Sequence, residues 1–365
     1  MHAEPTLAEI LTRATRADFS EREQVFLVPV PGDTFVRLSG RALAALQLHA
    51  AGMTLEDAAT ATRGNEAHLW DGARVAQIRD RLVERARAPH AVDDGPAMFL
   101  RRPLLGQPTV EWLARRLRVL FGPLVATTVI ASTLVTFAAT THLPRTSSAT
   151  ELAVGYLWMI GSLIAHELGH ASAATYFGCR PGPIGFTFYV IYPALYSDVT
   201  AAWTLRRHQR VVVDAGGVYF QLVFTALFMA LGAIFGVRGT QVGSFMVAFS
   251  VVMTLHPFLA FDGYWMLSDA LGVANLAKQR RRLCAALWAR LRRRAPAPLP
   301  FPPLITAALA IYAIASVVFT LCFAVYLGPR MWRALLGYPA RVRAAIDDIA
   351  AHGYPQSLGP WLALA

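Results

Sequence analysis

His166, Glu167 and His170 are the residues of this chain whose types and spacing most clearly suggest chemistry. Residues four apart in a helix share a face, so the two histidines point the same way with Glu167 beside them. Neutral imidazoles bind Zn2+ at about 2.0–2.1 Å, and a neighbouring carboxylate can take a proton from water that the metal acidifies to a pKa of about 7. A catalytic zinc site needs three protein ligands and one open position, so two histidines leave it incomplete. Asp262 is the expected third ligand. It lies in His256-Pro257-Phe258-Leu259-Ala260-Phe261-Asp262-Gly263, where Pro257 interrupts the helical ladder and Gly263 permits an unusual backbone angle. The alternative for Asp262 is an N-cap or turn residue. The expected inventory is one Zn2+ per chain, with Glu167 as general base.

The pattern H-E-x-x-H arises by chance in a chain of this kind on the order of one time in a hundred. Its setting makes coincidence less credible. It falls in an apolar stretch, where an unpaired carboxylate costs at least ~2.5 kcal/mol unless a metal, a partner or a polar cavity receives it.

The elements that must position these residues are membrane helices. Of the 365 residues, 55% are hydrophobic and 16% charged, against about a quarter charged in soluble domains. Five apolar stretches are expected to span a bilayer: Val119–Thr141, Leu152–Phe177, Val211–Val237, Val242–Leu267 and Pro303–Leu327. Residues 1–25 are polar and charged, so no signal peptide is expected. Arg101, Arg102, Arg115, Arg116 and Arg118 precede the first span, which puts the N-terminus in the cytoplasm and the chain in the cell membrane. The net charge of +11 is concentrated: Lys278 and the arginines at 280–282, 290 and 292–294 form a run without an acid, while residues 1–118 carry 16 basic and 15 acidic side chains. That distribution fits a membrane-flanking loop rather than nucleic-acid binding. Cys179, Cys284 and Cys322 have no spacing that implies a disulfide or a thiolate metal site.

An intramembrane H-E-L-G-H followed about ninety residues later by P-F-L-A-F-D-G-Y-W resembles the site-2 protease (M50) family of membrane zinc metalloproteases. Gly185 to Pro193, Tyr196-Ser197-Asp198-Val199 and Gly216-Gly217-Val218-Tyr219-Phe220-Gln221 resemble its peptide zinc metalloprotease branch, over roughly residues 98–277. The resemblance implies metal ligation by His166, His170 and Asp262, with Glu167 as base. The family's N-x-x-P lead-in to D-G is reduced here to His256-Pro257, and its A-G-P-x-x-N becomes a glycine pair ending in Gln221. Gln221 is then either a substrate-orienting amide or a helix-packing residue. His256, six residues from Asp262, reads as either support behind the metal ligands or packing, and not as a ligand itself. Asp198 and Asp214 either pair with nearby arginines or, for Asp198, line a substrate path. Phe186–Ile191 has strand composition and would either pair with an extended substrate or form a re-entrant hairpin.

Residues 1–90 have ordinary soluble composition. Phe35–Leu38 reads as a strand, Ser39 caps a helix to about Ala51, Thr54 caps a second, and Ala73–Arg87 makes a third. The arrangement resembles small winged-helix domains that recognise leader peptides. The expected organisation is a peptide-recognition domain at 1–90, a linker and membrane-approach helix at 91–118, a transmembrane metalloprotease domain at 119–327 and a tail at 328–365. The expected partners are the lipid bilayer and a precursor peptide, or else a membrane-anchored signalling protein, with no nucleic acid. The functional expectation is zinc-dependent intramembrane cleavage of a ribosomally made precursor. The alternatives are regulated cleavage of a membrane-anchored signalling protein and a non-catalytic transport or immunity role. Residues 1–90 are expected to serve recognition and not chemistry.

Overall fold

A computed structural model describes residues 6–30, 34–63, 70–87, 98–140, 149–189, 192–294 and 299–352. The chain opens with α1 (Leu7–Thr12), started by a capping box in which Thr6 and Glu9 satisfy each other's backbone N–H groups. Strands β1 (Thr15–Ala17), β2 (Val25–Val30) and β3 (Thr34–Ser39) form an antiparallel sheet in that order. Ser39 caps α2 (Gly40–Ala50) and Thr54 caps α3 (Leu55–Ala61), both through side-chain oxygens, and α4 (Gly72–Arg87) follows. Val28, Leu38, Leu46, Val75 and Leu82 close a core between this sheet and these helices. The expected strand and three helices are present, while α1, β1 and β2 were not foreseen.

Strand β4 (Met98–Leu105) occupies what reads in the sequence as linker, and α5 (Gln107–Leu117) continues toward the membrane region. A 3-10 turn over Arg118–Phe121 and a 78° bend separate α5 from α6 (Pro123–Thr140). The Tyr219 hydroxyl donates to the Leu120 carbonyl at 2.7 Å and fixes that bend. The motif helix is α7 (Ala149–Tyr176). Strands β5 (Ile184–Tyr189) and β6 (Tyr192–Ser197) complete a second antiparallel sheet, ordered β4-β5-β6. The expectation that Phe186–Ile191 offers an edge to substrate is therefore corrected: β5 is central, with both edges paired, and Val190 and Ile191 lie outside the described residues. Ile184 packs with Val110, Ala114 and Ala171, which seats the sheet on the end of α7.

After a 3-10 turn at Thr200–Thr204, α8 (Arg207–Phe235) runs back beside α7, and α9 (Thr240–Thr254) packs on α7 in turn. The fourth expected span is not one helix. The chain leaves α9 at Leu255 and restarts as α10 (Asp262–Leu271), because Pro257 cannot donate to the ladder and the backbone folds back tightly. A Cβ at Gly263 would lie 2.0 Å from the Leu255 carbonyl oxygen. Helices α11 (Leu276–Leu291) and α12 (Pro303–Cys322) follow, and α12 passes through a π-turn at Phe323–Leu327 into α13 (Gly328–His352), so the tail begins as helix. Among the described residues three helices are long and apolar enough to cross a membrane, or up to four if the bent pair counts as one, in place of the five expected. This composition is consistent with a helical membrane protein.

Candidate metal centre

His166, Glu167 and His170 lie on α7, each 8% exposed. Asp262 is the first residue of α10, one position inside the N-cap Phe261. His166 Nε2 and His170 Nε2 are 3.1 Å apart, and Asp262 Oδ2 lies 3.0 Å from the first and 3.3 Å from the second. Four ligands set tetrahedrally around zinc at about 2.05 Å stand about 3.3 Å from one another, so these atoms match one face of such a site. Among the described residues this is the group of His, Cys, Asp and Glu side chains that converges for a metal.

The outer ring nitrogens explain why both Nε2 atoms face inward. His170 Nδ1 donates to the Val213 carbonyl at 2.8 Å and His166 Nδ1 to Gln221 Oε1 at 3.2 Å. With the proton on each Nδ1, both Nε2 atoms present lone pairs to the Asp262 carboxylate. Three acceptors crowded together in a buried position are costly unless a cation sits among them. The residues present therefore fit Zn2+, with Glu167 adjoining His166 and free of any ligand duty.

Small residues make this convergence possible. A Cβ at Gly217 would fall 2.5 Å from His170 Nε2 and 2.6 Å from His166 Nε2, inside the space a metal needs. Gly169 and Gly216 bring the backbones of α7 and α8 together, since a Cβ on Gly169 would be 2.1 Å from the Gly216 oxygen. That approach brings Val213 and Gln221 of α8 within reach of the histidines of α7.

The structure brings together His166, His170 and Asp262, as the sequence suggested, and moves other candidates elsewhere. Gln221 is fully buried between α7 and α8, with its Oε1 3.2 Å from His166 Nδ1 and its Nε2 without a partner among the described residues. The Asp198 carboxylate accepts from the Thr200 N–H and hydroxyl at 3.1 and 2.7 Å, so it builds the turn after β6; among the described residues it pairs with no arginine and stands outside the converging metal-ligand group. His256 packs on Phe319 and Phe258 with its Nδ1 accepting from the Phe258 N–H, in keeping with packing. Asp214 is buried beside Asp269, and it is Asp269 that takes the arginine, Arg210, at 2.8 Å. The Val213 carbonyl was missed by sequence reasoning, because a backbone oxygen has no residue-type signature.

No family model matches the chain, and no solved structure does. A Bacillus subtilis (strain 168) protein named "Putative peptide zinc metalloprotease protein YydH" is 26% identical over 114 residues, or 30% of this chain and 45% of that protein. The chain thus spans less than half the length of the relative it matches.

Proposed function

We propose that this chain is a membrane zinc-dependent endopeptidase of the site-2 protease type, with Glu167 as general base. The observation that carries the reading is the convergence of His166, His170 and Asp262 with both outer imidazole nitrogens already engaged. The similarity to a protein named as a zinc metalloprotease supports it. A Zn2+ ion held there supplies Lewis-acid polarisation of a peptide carbonyl and makes water deprotonate near neutral pH. Glu167 takes the proton from the attacking water and delivers it to the leaving amine as the C–O bond forms and the C–N bond breaks. Burial of the site keeps bulk water from Glu167 and strengthens its interaction with the reacting groups.

The substrate class is a ribosomally made precursor peptide, captured by the N-terminal domain on the cytoplasmic side of the cell membrane. Strand β3 supports this reading: among the described residues it pairs only with β2, which leaves an edge for strand addition. The N-terminal domain also touches Gly272 and Pro300, which flank the basic helix α11, and this contact supports assigning both to the same, cytoplasmic side. The test is metal analysis and cleavage by the purified chain with a candidate precursor. About one zinc per chain, with cleavage lost in Glu167→Gln while zinc stays bound, is expected. Cleavage surviving in Glu167→Gln overturns the mechanism, and cleavage of membrane-anchored signalling proteins alone overturns the substrate class.

A further inference from the structure

The loop joining β1 to β2 reaches out of the N-terminal domain and binds the ends of two membrane-region helices. Asp18 accepts from the Arg207 backbone N–H and from Arg207 Nε, both at 3.0 Å, at the first residue of α8. Ser20 donates from its hydroxyl to the Leu271 carbonyl at 2.6 Å and from its backbone N–H to the Gly272 carbonyl at 2.8 Å, closing the C-terminal end of α10. The same hydroxyl accepts from Arg207 Nη1 at 2.7 Å, and the Arg22 N–H donates to the Pro300 carbonyl. One short loop thus occupies two helix ends whose backbone groups would otherwise lack partners.

Arg210 makes the connection rigid. It is 2% exposed and all three of its nitrogens are engaged: Nε with Asp269 of α10 at 2.8 Å, Nη1 with the Leu205 carbonyl and Nη2 with the Asp18 carbonyl, both at 3.0 Å. The Phe19 ring lies under its guanidinium at 4.9 Å. A buried guanidinium that loses partners is costly, so α8, α10 and the loop hold together as a unit. Each helix in the unit leads to the metal centre. Arg210 is one turn from Val213, whose carbonyl orients His170, and α10 is a ten-residue rod, about 15 Å long, that begins at Asp262. Gly272 is built for the contact: it is left-handed at φ +62°, and a Cβ there would lie 2.8 Å from Ser20 Oγ and 2.6 Å from Arg207 Cδ.

We propose that Asp18 and Ser20 are positioning residues for the metal centre, acting through Arg207, Arg210 and the end of α10 to set where Asp262 meets the two histidines. This deepens the metalloprotease reading and rests on it for the cleavage measurement alone. It also changes what the N-terminal domain does, since removing that domain removes a brace from the chemistry as well as a peptide-binding edge.

The test uses the full chain in lipid nanodiscs, comparing the double variant Asp18→Asn/Ser20→Ala and, from the other side of the contact, Gly272→Ala. Glu23→Gln, which loses only a contact to Arg41 within the N-terminal domain, is the control. Zinc affinity is read by competition with a chromophoric chelator, and kcat and KM on a cleavable peptide. Both clamp variants should bind zinc about tenfold more weakly, the scale of changes behind a metal ligand, and lower kcat with KM unchanged. Unchanged zinc affinity with a raised KM would overturn the proposal and leave the loop as a tether. Weakened zinc binding in a chain that cleaves no peptide would sustain the positioning role and defeat the protease reading. Full cleavage with zinc affinity equal to the control would do the reverse.

Discussion

His166 and His170 each commit one ring nitrogen to an oxygen on α8, so the tautomer needed for metal binding is set before any metal arrives. Gln221→Leu removes the His166 partner without changing the ligand itself. It should weaken zinc binding by about 10- to 100-fold in a chelator competition, with Asp262→Ala more severe still. Glu167→Gln separates the base from the ligands: zinc content should hold while turnover falls by about 100-fold or more. Equal zinc affinity in Gln221→Leu would show that the 3.2 Å contact does not orient the ring. The ligand pair was legible because a four-residue spacing alone places two side chains on one helical face, and Asp262 because a carboxylate beside a proline break in an apolar stretch needs a reason. The duty of Gln221 was not legible, since it depends on how α8 is rotated against α7, which the glycine contact between them decides.

Among the elements, the break between α9 and α10 matters most for the site. Hydropathy reads 242–267 as one span because the turn is itself apolar, carrying Leu255, Phe258, Leu259 and Phe261. The turn places Asp262 at a helix start, where the backbone dipole favours a carboxylate. Gly263→Ala sets a methyl group against a carbonyl that belongs to the backbone, so it should cost about 1–3 kcal/mol in unfolding free energy and release zinc. The docking loop has a pH signature. Burial pushes the Asp18 carboxyl up, but the Arg207 N–H and guanidinium outweigh it and hold it below the usual carboxylate range. A depressed acid lends its stability above its unfolded pKa and loses it as pH falls through the lower folded value. The difference in Tm between wild type and Asp18→Asn should therefore be constant above about pH 5 and shrink below about pH 4, as read by thermal melts across pH. The loop was invisible in the sequence because Asp18 and Arg207 are brought together only by the fold.

For the whole molecule, orientation can be read with residues it already has. Cys284 is exposed on the basic helix α11. A membrane-impermeant maleimide should label it in inverted vesicles and not in intact spheroplasts, with Cys284→Ser as the control. Labelling from the outside would reverse the assigned topology. Deleting residues 1–90 should slow cleavage of even a short, saturating peptide, because the brace at Asp18 and Ser20 goes with the domain. That differs from what composition alone suggests, a soluble domain reading as a detachable recognition module.

Asp262 comes ninety-two positions after His170 in the chain. At about 5–20 residues per second of synthesis, the helix bearing both histidines leaves the ribosome some 5–20 seconds before its third ligand exists. During that interval Glu167 has no finished site around it, and an early metal would find only two imidazoles. The three candidate ligands thus come together only once α10 has been made, a delay built into the order of the elements along the chain.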